Sequence, residues 1–322
     1  MNLRRLGRTG LEVSEVGYGA WGIGQSMWIG ADDRESLRAL ERAIELGLNF
    51  IDTALAYGNG HSEQLVGKVV RGRSGPVYVA TKIPPKNMRW PASGADDVDV
   101  AFPGEHIRSR TEKSLRNLGI ERIDVQQLHV WHDNWLEQGD WLETVQALKR
   151  EGKIAYFGVS INDHAPETAL GLVRSGNVDT VQVIYNIFDQ SPEDELFPAV
   201  KEHDVGVLAR VPFDEGGLTG AIGPGTEFPA GDFRANYFKG DRKQQVADRV
   251  AAIVDDLGIA PDAIAETALR YILSSDAVST VIPGMRSIRN VERNCAAGDG
   301  RGLPREQVER LHAHRWVRDF YR

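Results

Sequence analysis

The chain of 322 residues contains only one cysteine, Cys295. One cysteine can form no disulfide within the chain and no cysteine-based metal cage. No apolar run approaches the ~18 residues that a transmembrane helix requires, and the opening MNLRRLGRTG lacks the apolar region of a secretion signal. Positive charge is in the minority, since 38 Lys and Arg face 46 Asp and Glu and the net charge is −8. We therefore expect a cytosolic (cytoplasmic) protein that binds neither nucleic acid nor membranes.

The chain does have ample apolar material for a core, because 41% of its residues are hydrophobic and only 26% are charged. A chain of this length can fill one α/β barrel or two smaller domains. Neither a linker nor a break in composition divides it. We therefore expect one domain over residues 1–322.

The segment EVGYGAWGIG, residues 15–24, contains Gly17, Gly19 and Gly22 in the order G-x-G-x-x-G. In a Rossmann domain this pattern follows a strand and opens a helix whose N-terminus binds the pyrophosphate of a dinucleotide. Here the next helical pattern begins only near Asp32, so no helix opens on these glycines. We interpret the segment as a strand followed by a glycine-rich loop that other atoms approach closely.

Strand patterns and helical patterns alternate along the whole chain. The eight predicted strands are EVGYG, NFIDTA, PVYVATK, IDVQQLHV, KIAYFGVS, DTVQVIYN, VGVLARV and VSTVIPG. The predicted helices span about 33–46, 62–70, 105–118, 141–150, 165–175, 193–203, 244–257 and 261–274, and a last one starts near 288. Buried parallel strands separated by helices predict a single (β/α)8 TIM barrel, preceded by a small hairpin over residues 1–13. An open, doubly wound sheet stays the alternative, because a count of strands does not establish closure.

Four polar residues lie at the ends of the second, third and fourth predicted strands or in the loop that follows, at the face of a barrel that carries chemistry. They are Asp52, Tyr57, Lys82 and His129. A tyrosine with the usual pKa of ~10 is a weak acid at neutral pH, and an ammonium beside it stabilises the phenolate and lowers that pKa. Asp52 would hold Lys82 charged, and His129 would hydrogen-bond a substrate carbonyl. The set predicts proton donation from Tyr57 to a carbonyl oxygen.

Other interpretations of these residues stay open. A barrel lysine can form a Schiff base, so Lys82 could serve a lyase. A cofactor-binding regulatory subunit with little turnover would carry the same residues. A metal site on His129 and His132 is disfavoured, because residues three positions apart on a strand face opposite sides, and we expect no metal.

The segments around these residues resemble those of the aldo-keto reductase superfamily. GLNFIDTALAYGNGHSEQLVG resembles the segment that carries the family's Asp and Tyr, VYVATK its Lys strand, and RTEKSLRNLGIERIDVQQLHVW the helix and strand leading to its catalytic His. The resemblance runs nearly end to end. It implies a (β/α)8 barrel that binds NADPH without a Rossmann domain and reduces an aldehyde or ketone, with Tyr57 as proton donor. It also implies that Gly19 and Trp21 line the active site near the nicotinamide.

The resemblance implies a site for the nicotinamide, with two departures from the family pattern. Ser160 and Gln182 match residues that bind the carboxamide. Ile161 follows Ser160 where the family has an asparagine, and Asn162 comes one position later. Arg210 stands where many members stack an aromatic ring on the nicotinamide, and a planar guanidinium can stack similarly.

The resemblance also implies a site for the phosphates and the adenine. Leu218 and Gly220 resemble the loop that passes over the pyrophosphate. Arg286 precedes a predicted helix N-terminus, where free N–H groups and the helix dipole favour a phosphate, so it would bind the 2′-phosphate of NADPH. Gly284 stands where some members have a lysine. The adenine-side positions are Asn290 and Asn294.

The substrate pocket is expected between the loops at 84–104 and 211–243. Its predicted aromatic residues are Trp21, Trp28, Trp90, Trp131, Phe213 and Phe238. Such rings suit sugars, aromatic aldehydes and flat ketones alike, so they do not identify the small-molecule carbonyl substrate. The C-terminal segment is expected to continue as a helix that packs on the barrel wall through Val308, Leu311, Val317 and Phe320.

Overall fold

The computed structural model describes residues 1–322 and contains a barrel of eight parallel strands. An antiparallel hairpin comes first, formed by β1 (Leu3–Arg5) and β2 (Glu12–Ser14). The barrel strands are β3 (Tyr18–Gly19), β4 (Phe50–Asp52), β5 (Tyr78–Ile83), β6 (Ile123–Leu128), β7 (Ile154–Ser160), β8 (Thr180–Ile184), β9 (Gly206–Arg210) and β10 (Thr280–Val281). Each barrel strand pairs with the next one along the chain.

Backbone hydrogen bonds between the first and last strands close the barrel. Gly17 N donates to Val281 O at 2.8 Å, and Gly19 N donates to Pro283 O at 2.9 Å. A Cβ atom on Gly19 would lie only 2.5 Å from Ile282 O, so this close approach requires glycine. The (β/α)8 prediction is confirmed, the open sheet is excluded, and Gly17 and Gly19 of the G-x-G-x-x-G pattern lie at the seam of the barrel.

Helices surround the strands on the outside. They are α1 (Asp33–Glu45), α2 (His61–Val70), α3 (Val98–Ala101), α4 (Gly104–Leu118), α5 (Trp141–Arg150), α6 (Leu170–Ser175), α7 (Leu196–Glu202), α8 (Phe233–Tyr237), α9 (Arg242–Leu257), α10 (Ile264–Leu273), α11 (Ile288–Ala296) and α12 (Arg305–His312). The helices predicted at 165–175 and 261–274 each begin with a 3₁₀ turn, at Pro166–Ala169 and Pro261–Ala263. No helix of the chain is both long and apolar enough to cross a membrane.

Side-chain caps set the starts of two helices. Asp32 accepts a hydrogen bond from Glu35 N at 2.9 Å and caps α1. Ser287 accepts one from Asn290 N at 3.4 Å and caps α11. Each cap satisfies one of the N–H groups that the first helical turn leaves free.

The barrel interior changes from apolar to polar along the strands. The end near the hairpin is filled by Leu6, Val13, Phe50, Ala80, Val125, Leu208 and Ile282. Because side chains alternate along a strand, the residue two positions further on also faces the interior. These residues are Asp52 after Phe50, Lys82 after Ala80, Gln127 after Val125 and Arg210 after Leu208. The alternation therefore places a polar layer at the C-terminal end of the barrel.

The C-terminal segment follows the barrel wall after α12. Leu311 and Phe320 are buried, and Val308 packs against the core, as predicted. Val317 is 89% exposed, so that part of the prediction was wrong. The helix ends at His312, and the helical spacing that grouped Val317 with Phe320 does not continue beyond it.

Candidate active site

The polar layer brings Asp52, Tyr57 and Lys82 into direct contact. Lys82 Nζ donates to Asp52 Oδ2 at 2.6 Å, to Thr53 O at 2.8 Å and to Tyr57 Oη at 3.2 Å. Asp52 ends β4 and Lys82 is the penultimate residue of the adjacent strand β5, and both are buried. An ammonium has three protons, and each of these protons has an acceptor here.

These contacts decide the charge of Lys82. Burial has the largest effect and lowers the pKa of the Lys82 ammonium, but the negative charge of Asp52 and the contacts with Asp52 and Tyr57 raise it. The net pKa lies above the usual value for lysine. Lys82 is therefore charged at neutral pH, as the sequence analysis expects.

Burial also dominates the pKa of Tyr57. It raises that pKa, and the opposing charge of Lys82 lowers it by less, so the net direction is upward. Lys82 lowers the pKa of Tyr57, as expected, but burial raises it by more, and the sequence does not show how strongly the phenol is desolvated. A neutral phenol keeps the proton that a donor must deliver, and Lys82 is placed to stabilise the phenolate that remains.

His129 follows β6 and meets Tyr57 edge to face, with ring centroids 5.7 Å apart. Burial, followed by the charges of Lys82 and Arg210, lowers the pKa of His129 well below its usual value. The imidazole is therefore neutral at pH 7 and has one N–H to donate. No group of three or more His, Cys, Asp or Glu side chains is arranged to hold a metal ion.

Two glutamines hold the second oxygen of Asp52. Gln182 Nε2 donates to Asp52 Oδ1 at 2.8 Å, and Gln127 Nε2 donates to the same oxygen at 3.2 Å. The structure thus places the amide of Gln182 on a carboxylate inside the barrel, whereas the family resemblance assigns it to the nicotinamide. Sequence analysis missed Gln127, although strand alternation from Val125 points it to the interior.

The loop after β7 departs from the predicted carboxamide site. Ser160 ends β7, and Ile161 is buried behind it. Asn162 Oδ1 accepts from Ala92 N at 2.9 Å, and Asn162 Nδ2 donates to Ala92 O at 3.1 Å. The asparagine that is displaced by one position therefore binds the backbone of another loop.

Arg210 ends β9 and is tied to the same loop after β7. Its Nη2 donates to Ile161 O at 2.9 Å and to Asp163 Oδ1 at 2.6 Å. Its charge lowers the pKa values of both Tyr57 and His129, so it lies beside the catalytic candidates. These bonds fix the guanidinium at the position where the resemblance expects a group that stacks on the nicotinamide.

The C-terminal tail holds the loop after β9. Asp214 and Glu215 are buried, and both have positive φ angles, 50° and 55°. Arg318 pairs with Asp214, and Tyr321 Oη donates to Glu215 Oε1 at 2.6 Å. Burial raises the pKa of Glu215 to about 7. Two non-glycine residues in the left-handed region are held here by partners that the sequence analysis did not identify.

Arg286 lies immediately before α11, as predicted. Its Nη1 donates to Ile29 O at 3.1 Å, and its guanidinium is 5.7 Å from the ring centre of Trp28. The guanidinium of Arg234 also lies over Trp28, at 4.3 Å. A Cβ atom on Gly22 would lie 3.0 Å from Arg286 Cδ, so Gly22 leaves room for the stem of Arg286. Arg286, just before α11, and Arg234 of α8 thus lie near the same ring, Trp28 of the loop after β3.

The other predicted cofactor positions differ in exposure. Gly220, Gly284 and Asn290 are exposed and accessible to a ligand. Leu218 is fully buried in the core, and Asn294 is buried except for one edge. A cofactor can therefore meet this loop at Gly220, but not at Leu218.

Aromatic rings surround the catalytic candidates. Trp21 stacks on Tyr57 with centroids 6.1 Å apart, and Trp90 meets His129 edge to face at 5.7 Å. Trp28 contacts Trp21 at 5.8 Å. Phe213, which the sequence analysis also assigns to the pocket, is half-buried against the core.

Trp131 and Phe238 do not line the pocket, so their assignment was wrong. Trp131 is fully buried and packs on Trp135 and Trp141, with centroids 6.0 and 5.0 Å away. It lies beyond the end of β6, where strand alternation no longer fixes the direction of a side chain. Phe238 is likewise buried, against Tyr237.

Two aromatic residues that were not predicted from the sequence extend this group of rings. Phe233 lies 5.4 Å from Trp21, and Tyr321 lies 6.0 Å from Phe233. Both come from segments distant in sequence from the barrel strands that carry the catalytic candidates. No local sequence pattern marks Phe233 or Tyr321, and only the tertiary fold brings them to the rings around Tyr57.

Comparisons with known proteins agree with this geometry. The model of the aldo/keto reductase family matches residues 15–315. The oxidoreductase YqkF of Bacillus subtilis is 31% identical over 98% of this chain and 96% of the relative. The NADH-specific methylglyoxal reductase of Escherichia coli is 29% identical, over 91% and 92%. A probable voltage-gated potassium channel subunit beta of Arabidopsis thaliana is 27% identical, over 93% and 92%.

Solved structures share the fold over nearly the full length. The glycerol dehydrogenase AKR11B4 from Gluconobacter oxydans superposes with a TM-score of 0.77 at 28% identity, covering 97% of this chain and 94% of that one. An aldo-keto reductase from Klebsiella pneumoniae in complex with NADPH has a TM-score of 0.70 at 26% identity, with the same coverage. With its closed barrel and its polar layer, and with a family match over residues 15–315, the protein belongs to the aldo/keto reductase family.

Proposed function

We propose that this protein reduces an aldehyde or ketone to an alcohol with NADPH, and that Tyr57 is the proton donor. The observation that carries the proposal is the Lys82 ammonium, 2.6 Å from Asp52 Oδ2 and 3.2 Å from Tyr57 Oη. A cation fixed in this place favours the phenolate as the proton leaves. The support that a tyrosine needs in order to act as an acid is therefore present before any substrate binds.

Each catalytic candidate has one task in the proposed reaction. When bound, the cofactor supplies a hydride to the carbonyl carbon. The neutral imidazole of His129 donates a hydrogen bond to the carbonyl oxygen and orients it toward Tyr57 Oη. Tyr57 gives its proton to that oxygen, and Lys82 stabilises the phenolate. Asp52 keeps Lys82 charged and in place.

The position of Arg286 beside the N-terminus of α11 fits a phosphate group of the cofactor. The Arg286 guanidinium can make charge-assisted contacts to a 2′-phosphate, and the free N–H groups of the first turn of α11 favour an anion. The Klebsiella pneumoniae structure contains NADPH, whereas the Escherichia coli relative is named as specific for NADH. Family membership does not fix the cofactor, so the proposal of NADPH depends on Arg286.

The geometry gives little support to a lyase that uses Lys82. A Schiff base forms from a neutral amine with a free electron pair. The three protons of the Lys82 ammonium all have acceptors, and the pKa of Lys82 is raised. Attack on a carbonyl would first require a deprotonation that Asp52 opposes.

A regulatory subunit with little turnover is the second candidate function. The relative named as a potassium channel subunit beta, at 27% identity over 93% of this chain, favours it. Such a protein would keep the cofactor site and the same side chains. The two candidate functions share this geometry, so a measurement of carbonyl turnover is needed to distinguish them.

The substrate class needs a direct test, because the relatives carry names as different as methylglyoxal reductase and glycerol dehydrogenase. We would assay a panel of aldehydes, ketoses and keto-sugars with NADPH and with NADH, following the absorbance of the reduced nicotinamide. Turnover of a carbonyl compound supports the reductase. Tight NADPH binding without turnover across the panel supports the regulatory subunit. A covalent adduct trapped on Lys82 by borohydride without nicotinamide supports the lyase.

We further propose that residues 1–322 work as one domain in the cytosol. Leu6 and Val13 of the hairpin fill one end of the barrel, and Arg318 and Tyr321 of the tail hold the loop after β9. Both ends of the chain therefore contribute to the same unit. Limited proteolysis tests the single domain, and cell fractionation tests the location.

A further inference from the structure

Asn162 pairs with a peptide group in the way that a neighbouring strand would. Its Oδ1 accepts from Ala92 N at 2.9 Å, and its Nδ2 donates to Ala92 O at 3.1 Å. Asn162 is 7% exposed and Ala92 is 8% exposed. Removing the amide would leave a buried N–H and a buried C=O without partners, which is costly.

Ala92 belongs to a loop that forms one side of the active site. We call residues 84–97, between β5 and α3, the wall loop. Trp90, two residues before Ala92, meets His129 edge to face at 5.7 Å and an interplanar angle of 90°. Trp90 itself is 42% exposed, so burial alone holds its indole weakly. Asn162 fixes the backbone at Ala92, and this backbone position therefore determines the position of the Trp90 indole.

The wall loop has three other side-chain anchors: His106 Nε2 donates to Pro84 O at 2.8 Å, six residues before Trp90, and the other two lie on the far side of Ala92 from Trp90. Asn134 Nδ2 donates to Gly94 O at 2.9 Å, and Trp135 Nε1 donates to Asp96 O at 2.8 Å. Both anchors come from the segment after β6, whereas Asn162 comes from the segment after β7. Asn162 is thus the anchor nearest in sequence to the ring that faces His129.

We propose that Asn162 is a positioning residue for substrate selection, which holds the wall loop so that Trp90 limits the carbonyl compounds that reach His129. The proposal rests on the reductase function proposed above. It departs from the role that the family pattern suggests for an asparagine after β7, because the amide is engaged at both ends by Ala92. A carboxamide ligand would govern cofactor affinity, whereas a loop anchor governs the choice among substrates.

The test compares Asn162→Ala with wild type in three measurements. We expect the Kd of NADPH to change by less than about threefold, because the anchor does not contact the cofactor. We expect the ratio of kcat/KM for a bulky aromatic aldehyde to that for a small aliphatic one to change by about fivefold or more, mainly through KM, which is the factor that the net contribution of even one of the two lost hydrogen bonds implies. Amide hydrogen exchange in residues 84–97 should become faster without any ligand.

A double-mutant cycle shows whether the effect passes through Trp90. Trp90→Ala should change the substrate ratio in the same direction, and adding Asn162→Ala to it should change the ratio little further. Asn49→Ala is the control, because Asn49, although only half-buried, also uses both ends of its amide to bind backbone groups, here of two residues at the opposite end of the barrel. Its Oδ1 accepts from Ser14 N at 2.7 Å, and its Nδ2 donates to Glu12 O at 2.9 Å. It should lower stability and leave the substrate ratio unchanged.

Two results would overturn the proposal. One is a loss of NADPH affinity of about tenfold or more with an unchanged substrate ratio, which would return Asn162 to the carboxamide. The other is unchanged hydrogen exchange in the wall loop, which overturns the anchor whatever the activity. If wild type reduces no carbonyl compound, the reductase proposal fails separately, and exchange still tests the anchor. If Asn162→Ala does not fold, Asn162→Ser, whose shorter neutral side chain can keep at most one of the two contacts with Ala92, should show the same changes.

Discussion

Replacing Gln182 with leucine separates two roles that this residue could have. In the structure Gln182 Nε2 donates to Asp52 Oδ1 at 2.8 Å. After the substitution, Asp52 Oδ1 would keep only the longer hydrogen bond from Gln127, at 3.2 Å. A hydrogen bond to a charged group contributes about 1.5–3 kcal/mol to stability. Asp52 is 2% exposed, so water cannot readily replace the lost donor. We expect Gln182→Leu to lower the free energy of unfolding of the cofactor-free protein by about that amount.

Urea denaturation without cofactor measures this change, and Gln126→Leu is the control. Gln126 is buried on the same strand as Gln127, but its Nε2 makes only bonds of 3.2 and 3.5 Å, and its Oε1 has no partner. Leucine there should cost less than about 1 kcal/mol. If Gln182→Leu leaves stability unchanged and weakens NADPH binding about tenfold, the amide serves the cofactor and its assignment to Asp52 is wrong.

Two further predictions concern the cofactor and the tail. Arg286→Ala should reduce the preference for NADPH over NADH by about 1.5–3 kcal/mol, because charge-assisted contacts to the 2′-phosphate are lost. Fluorescence titration with both cofactors measures this preference, and equal affinities of the wild type for NADPH and NADH would refute the prediction. Because burial raises the pKa of Glu215 to about 7, its stabilising contribution is complete below ~4.3 and is lost as the pH rises toward 7. Glu215→Gln keeps an acceptor for Tyr321 and should remove this loss in urea denaturation at pH 5 and pH 7.5, whereas the same pH dependence in both proteins would contradict the assignment.

The fold and the catalytic candidates could be predicted because both follow local rules. The periodicity of the strands and helices predicted the eight strand–helix repeats. The catalytic residues of a barrel lie at the C-terminal ends of its strands, and this rule identified Asp52, Lys82 and His129. The roles of the amides could not be predicted. Gln182 meets Asp52 across 130 positions and Asn162 meets Ala92 across 70, and no local period encodes such contacts.

The directions of side chains outside regular elements and the extent of burial also could not be predicted from the sequence. Trp131 lies outside a regular element, so no period indicates that it points into the core. The sequence shows that Lys82 is placed near Tyr57, but the direction of the pKa of Tyr57 depends on how far burial outweighs that charge. Both quantities become available only once the tertiary packing is known.

The catalytic role of Tyr57 is the central claim, and Tyr57→Phe tests it most directly. The substitution removes one oxygen and leaves the barrel and the cofactor site in place. With a carbonyl compound that wild type reduces, we expect kcat to fall by about 10²–10⁴, the usual range for a general acid, and the Kd of NADPH to stay within about threefold. A variant that folds, binds NADPH and keeps more than about a third of the wild-type kcat would contradict the account.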